Sequence, residues 1–196
     1  IAHALKHMHD RGIIHCDLKP ENIVMCATNS NSGDMSVRPV LIDFDISRDL
    51  NSLLQTASTT SLHNAGGTLG FMAPELLSAA MVSQHNQQPS SVSLLSPALD
   101  IWSFGIILFK AMFPQVEPIL LPERQEVEIP SHHHNNNTVH PLLRDLLSQC
   151  LKRSPEARLT SDDLIVHAYF FSDLDQGTSN NNNNTVMSME GVASVD

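Results

Sequence analysis

The chain is poor in aromatic rings, in basic residues and in cysteine. One Trp, one Tyr and seven Phe come to 5% of 196 residues. Eleven Lys and Arg stand against 21 Asp and Glu, a net charge of −10. Nucleic-acid binding needs a basic face for the phosphates, so nucleic acid is excluded as a partner. Docking on anionic lipid is excluded on the same ground. The three cysteines, Cys16, Cys26 and Cys150, are far apart and form no CxxC pair. They support neither a disulfide framework nor a structural zinc site. They fit a reducing compartment, intracellular and cytoplasmic, or simply small buried apolar positions. The longest apolar run, Ile101 to Phe113, contains Ser103 and Lys110 and is too short for a bilayer. No basic start followed by an apolar stretch marks a signal peptide.

What remains is globular: 41% of residues are hydrophobic and 16% charged. The length suits one domain. The chain opens at Ile1 inside a helical pattern, so it is expected to be a piece whose N-terminal part precedes residue 1. Ile1, Leu5 and Met8 share a helical face that closes at Asp10-Arg11-Gly12. Ile13-Ile14, Ile23 to Met25 and Val40 to Ile42 read as short strands, with an enlarged hairpin loop over Thr28 to Ser36. Ser47 to Ala65 and Ser83 to Ser93 read as polar insertions. Ser96 is expected to cap a central helix from Ala98 to Met112, with Pro97 in its first turn. Pro114 to Pro130 reads as irregular. Leu142, Leu143, Leu146, Leu147, Cys150 and Leu151 make an amphipathic helix. Thr160 and Asp163 form a capping-box pattern for a last helix through Phe171. SHHHNNN, from Ser131, is compositional rather than a metal site, since adjacent histidines cannot all face one ion.

His15-Cys16-Asp17-Leu18-Lys19-Pro20-Glu21-Asn22 carries the chemistry. An Asp, a Lys two residues on and an Asn five residues on put a proton acceptor, a cation and an amide into one small volume. Phosphoryl transfer asks for little more than such positioning and charge neutralisation.

This segment resembles the catalytic loop of eukaryotic-type protein kinases, in the Lys-Pro-Glu-Asn form usual for serine/threonine kinases. Four further segments follow in that family's order. They are Asp43-Phe44-Asp45, Gly67-Thr68-Leu69-Gly70-Phe71-Met72-Ala73-Pro74-Glu75, Asp100-Ile101-Trp102-Ser103-Phe104-Gly105, and Arg158 before the last helix. The resemblance implies an α+β fold: a mainly helical, protein-kinase-like C-terminal lobe over residues 1–171 with a small β-hairpin element at the catalytic edge. Residues 172–196 are expected to be a disordered Asn-rich tail. It implies an enzyme, a serine/threonine protein kinase that moves a phosphoryl group from ATP, with Mg2+, to a protein substrate. It also implies a partner in cis, the N-terminal lobe, without which these residues are expected to be inactive.

By the resemblance, Asp17 and Lys19 are catalytic, and Asn22 and Asp43 hold Mg2+ on the ATP phosphates. Val24 lies under the adenine ring, and Thr68 sets the approach of the substrate hydroxyl. His15, Phe44, Asp100, Glu75 and Arg158 are structural. Two positions depart from the pattern. Cys16 stands where an Arg usually grips a phosphate on the following segment, which a neutral thiol cannot do. Asp45 stands in place of Gly and is expected to tolerate that backbone less well. The rival readings are a pseudokinase serving as a binding or scaffold module, favoured by these two departures, and a small-molecule kinase, disfavoured by the docking loop around Thr68.

Overall fold

The most apolar segment of the chain becomes its axis. In the computed structural model, which describes residues 1–29, 35–52, 67–83, 95–120, 127–133 and 137–172, helix α3 covers Ala98–Met112. Nine of its fifteen residues are buried, as expected of a helix apolar around most of its circumference. Its bounds are those expected, and only the cap differs, by one residue. Pro97 itself is the N-cap and Ser96 contributes its carbonyl, which accepts from the Leu99 N–H at 3.1 Å. Proline has no N–H to leave unpaired, so it can occupy the mouth of a helix without a side-chain cap.

Helix α4, Pro141–Cys150, buries Leu143, Leu146, Leu147 and Cys150 at the helical repeat. It lies close to α3 because Gly105 has no side chain. A β-carbon there would sit 2.8 Å from the Cys150 β-carbon and 2.8 Å from Leu151 Cδ2. Arg144 on α4 donates to the carbonyls of Ile129 and Pro130 and pins the irregular segment before it. Within that segment the described residues form no helix, only a bridge between Leu120 and Val127. His133 stacks on Phe113 at 5.3 Å, a packing role.

At the other end, α1 (Ala2–His9) buries Leu5 and Met8. Gly12, at φ +73°, turns the chain into β1 (Ile13–Ile14). Strands β2 (Ile23–Asn29) and β3 (Met35–Leu41) form an antiparallel hairpin, from Ile23 opposite Leu41 to Asn29 opposite Met35. Both strands are longer than the apolar runs suggested. Pro39, opposite Met25, does not stop the ladder, because a two-stranded ribbon leaves every second N–H facing outward. Strand β4 (Arg48–Asp49) pairs with β1 inside a stretch read as an insertion. The remaining parts of the three expected insertions, residues 30–34, 53–65 and 84–93, and of the tail, 173–196, lie outside the described residues.

Helix α2 covers Pro74–Ser83. The last helix, α5, has the expected capping box between Thr160 and Asp163 but spans only Ser161–Ile165. His167 ends it early, because its Nδ1 accepts from the Tyr169 N–H and starts a separate turn over Ala168–Phe170. The architecture is α+β, mainly helical with two small antiparallel pairs. Among the described residues no helix is long and apolar enough to cross a membrane.

One ion pair ties the pieces together. Arg158 donates to both carboxylate oxygens of Glu75 at 2.7 Å each. Its three other N–H groups reach the carbonyls of Ala98, Lys152 and Arg153. The guanidinium also lies 5.0 Å from the Trp102 ring centre. All five donors are used, so removing either partner strands a buried charge. Glu75→Ala or Arg158→Ala should cost about 3–5 kcal/mol, and Gly105→Ala about 1–3 kcal/mol by overpacking. Urea denaturation measures both, and Asp17→Asn should leave the midpoint nearly unchanged.

Candidate active site

The site is built from Asp100 outward. This carboxylate, in the first turn of α3, is completely buried. It accepts from the backbone N–H groups of His15 at 2.9 Å and Cys16 at 3.0 Å, and from His9 Nε2 at 2.9 Å. Two successive amides can face one anion because Cys16 takes the left-handed conformation, φ +67°. That conformation costs a non-glycine residue about 1–2 kcal/mol, which the charge-assisted bonds offset. The turn delivers Asp17 to the surface of the lobe. His15 is held by a bond from its Nε2 to the Ile42 carbonyl at 3.1 Å, and its ring lies 5.1 Å from that of Phe44.

Around Asp17 the sequence-predicted residues come together. Lys19 Nζ is 2.6 Å from Asp17 Oδ2 and donates to Thr68 Oγ1 at 3.0 Å. Thr68 donates to Asp17 Oδ1 through both its N–H, at 2.9 Å, and its hydroxyl, at 3.0 Å. Asn22 Nδ2 donates to the Asp17 carbonyl at 2.9 Å. Thr68 is 51 residues from Asp17, so this cluster unites two distant loops. Burial opposes ionisation of Asp17, but the Lys19 ammonium and the two Thr68 donors outweigh it and hold its carboxyl below the usual range. Lys19 is raised in turn, first by its bond to Asp17.

Asp43 follows β3 at φ +65° and is exposed, with no hydrogen-bond partner among the described residues. Asp45 does not adopt a positive φ, so the expected backbone penalty at this position is absent. Asn22 and Asp43 present oxygen donors, the kind Mg2+ takes. Because the Asn22 amide nitrogen is spent on Asp17, its oxygen is the end left for a cation. Val24 on β2 is 40% exposed, an open apolar surface on the hairpin. Glu75 and Arg158 form the separate structural pair described above.

Three contributors escaped the sequence reading. His9 lay unmarked in a helical pattern, although it bonds to Asp100. Gly67, at φ +150°, lies against the loop that carries Asp17, where a β-carbon would be 3.2 Å from the Cys16 carbonyl oxygen. Ser103 holds the segment after Thr68 through a 2.8 Å bond to the Phe71 carbonyl. The glycine's place beside Thr68 was the available signal for Gly67. His9 and Ser103 show their roles only in three dimensions.

Residues 1–170 match the family model described as protein kinase domain. The chain is 31% identical to the serine/threonine-protein kinase mph1 of Schizosaccharomyces pombe, over 85% of this chain and 26% of that one. It is 32% identical to the serine/threonine-protein kinase unc-51 of Caenorhabditis elegans, over 89% and 19%. It is 28% identical to a bifunctional serine/threonine-protein kinase/NEDD4-like E3 ubiquitin-protein ligase of Dictyostelium discoideum, over 89% and 9%. The chain belongs to the protein kinase family and spans about a quarter or less of the length of these relatives.

Two measurements probe the site's electrostatics. Asp17 should stay ionised as pH falls through the ordinary carboxylate range, and its bonds to Lys19 and Thr68 should be lost only below it. In Lys19→Met the NMR-detected carboxyl titration of Asp17 should move upward. Cys16 is the opposite case. Burial first, and then the Asp100 charge, push its thiol up to about 12. At pH 8 only about one thiol in 10⁴ would be thiolate, so native Cys16 should resist iodoacetamide and react at the ordinary rate once unfolded.

Proposed function

We propose that the chain is the large lobe of a serine/threonine protein kinase and supplies the residues for phosphoryl transfer from ATP to a protein hydroxyl. The Asp17–Lys19–Thr68 cluster carries this reading. Asp17 is ionised, partly exposed and fixed by donors from Lys19, Thr68 and Asn22, so it can accept or orient the proton of an incoming Ser or Thr hydroxyl. Lys19 is kept protonated beside it and offsets charge on the transferring group. Thr68 joins the two and sets where the hydroxyl enters. Asn22 and Asp43 would hold Mg2+, and Val24 would take the adenine ring. The bound ion would neutralise phosphate charge.

An N-terminal lobe in cis completes the nucleotide site in this reading. The three free thiols suit a reducing, cytoplasmic setting. Neither Cys16 nor Asp45 removes an atom that the transfer needs, so the scaffold reading is the weaker one. The test is transfer of labelled phosphate from ATP to a Ser/Thr peptide by the full-length protein. Asp17→Asn and Asp43→Asn should each lower kcat by orders of magnitude with the thermal midpoint held. Wild-type turnover in Asp17→Asn would leave the scaffold reading in its place.

A further inference from the structure

The segment that carries Thr68 is tied to a cation outside the Asp17 cluster. After Thr68 the chain makes a 3₁₀ turn, Leu69–Phe71, closed by the Phe71 N–H on the Thr68 carbonyl at 2.9 Å. Ser103 on α3 donates to the Phe71 carbonyl at 2.8 Å. Lys110 stands two helical turns further along α3, on the same face. Its Nζ lies 5.6 Å from the centre of the Phe71 ring. The turn from Thr68 to Phe71 rises about 6 Å, and an extended peptide covers about 3.3 Å per residue. A side chain within about four residues of a hydroxyl held at Thr68 therefore reaches this ammonium.

Lys110 is open to such a ligand. Its hydrogen-bond partner among the described residues is Glu117, at 3.1 Å, whose side chain is 82% exposed. A pair that open to water is worth little and exchanges readily. An ammonium has three N–H groups, and Glu117 takes one of them. The Phe71 ring attracts the charge through its face and uses none. Lys19, by contrast, is committed to Asp17 and Thr68. In a chain of net charge −10, an acidic substrate needs a fixed cation where it lands, and Lys110 supplies one in register with Thr68.

We propose that Lys110 is a specificity-determining residue that selects acidic substrates, pairing with an Asp or Glu close in sequence to the Ser or Thr that enters at Asp17. Glu117 holds the ammonium until the substrate carboxylate replaces it. The proposal rests on the reading of Asp17 and Thr68 as the phosphotransfer site.

The probes are two peptides with Ser at the centre, one flanked on both sides by Asp and the other by Arg. The full-length protein is assayed for phosphate transfer to each from ATP with Mg2+. Fluorescein-labelled forms with Ala for Ser report affinity by anisotropy, without turnover. The Asp peptide should bind at least tenfold more tightly than the Arg peptide, about 1.4 kcal/mol. Lys110→Glu should reverse that order and raise KM for the Asp peptide with kcat held. Lys110→Arg should keep the preference, and Glu117→Gln should widen it. Thermal midpoints verify that the variants fold. The proposal fails if the wild-type protein does not prefer the Asp peptide, or if folded Lys110→Glu still prefers it. Equal transfer to both Ser peptides would overturn the proposal alone. Preferential binding without transfer to either would overturn the phosphotransfer reading beneath it.

Discussion

The face that carries Asp17 depends on one buried carboxylate. Asp100 is rooted in the most buried helix and takes three N–H donors, two from the backbone of the loop that carries Asp17 and one from His9. Those bonds compensate the positive φ of Cys16, and without them the loop is expected to relax toward a conformation that moves Asp17. The anchor and the proposed proton acceptor are thus different aspartates. One is completely buried and spends its charge on structure, while the other is partly exposed and is held by Lys19 and Thr68 at the surface.

A second anchor works on the other loop. The Glu75–Arg158 pair fixes the start of α2, and Ser103 on α3 fixes the Phe71 carbonyl just before it. Thr68 therefore approaches Asp17 from a segment held at its far end by the same helix that holds the catalytic loop. Because α3 carries Asp100 and Ser103 three residues apart, both loops are registered to one rigid element. The Asp17–Lys19–Thr68 cluster is a consequence of that shared registration.

Most of this was legible in the sequence because the chemistry sits in contiguous motifs. Asp17, Lys19 and Asn22 lie within six residues, and their loop is short enough for spacing to predict proximity. The buried α3 was legible from its apolar circumference, and α5's start from Thr160 and Asp163. What was not legible depended on pairing or packing. The full length of β2 and β3 needed the partner strand to carry polar residues and Pro39 into a ladder. The short pairing of β1 with β4 had no apolar pattern to announce it. Asp45 was read as a backbone problem because a glycine was expected there, yet the left-handed residue of that turn is Asp43. Helix α5 ended early because His167 caps the next turn with its ring, a choice that propensity does not reveal.

Amide hydrogen exchange at His15 and Cys16 tests the anchoring role of Asp100 most directly. Each charge-assisted bond of this kind contributes about 1.5–3 kcal/mol. In Asp100→Ala the two amides should lose roughly one to two orders of magnitude of protection, while those of Leu146 and Leu147 in α4 keep the wild-type ranking as the slowest. Unchanged exchange at His15 and Cys16 in that variant would contradict the account, because the loop would then be held by something other than Asp100.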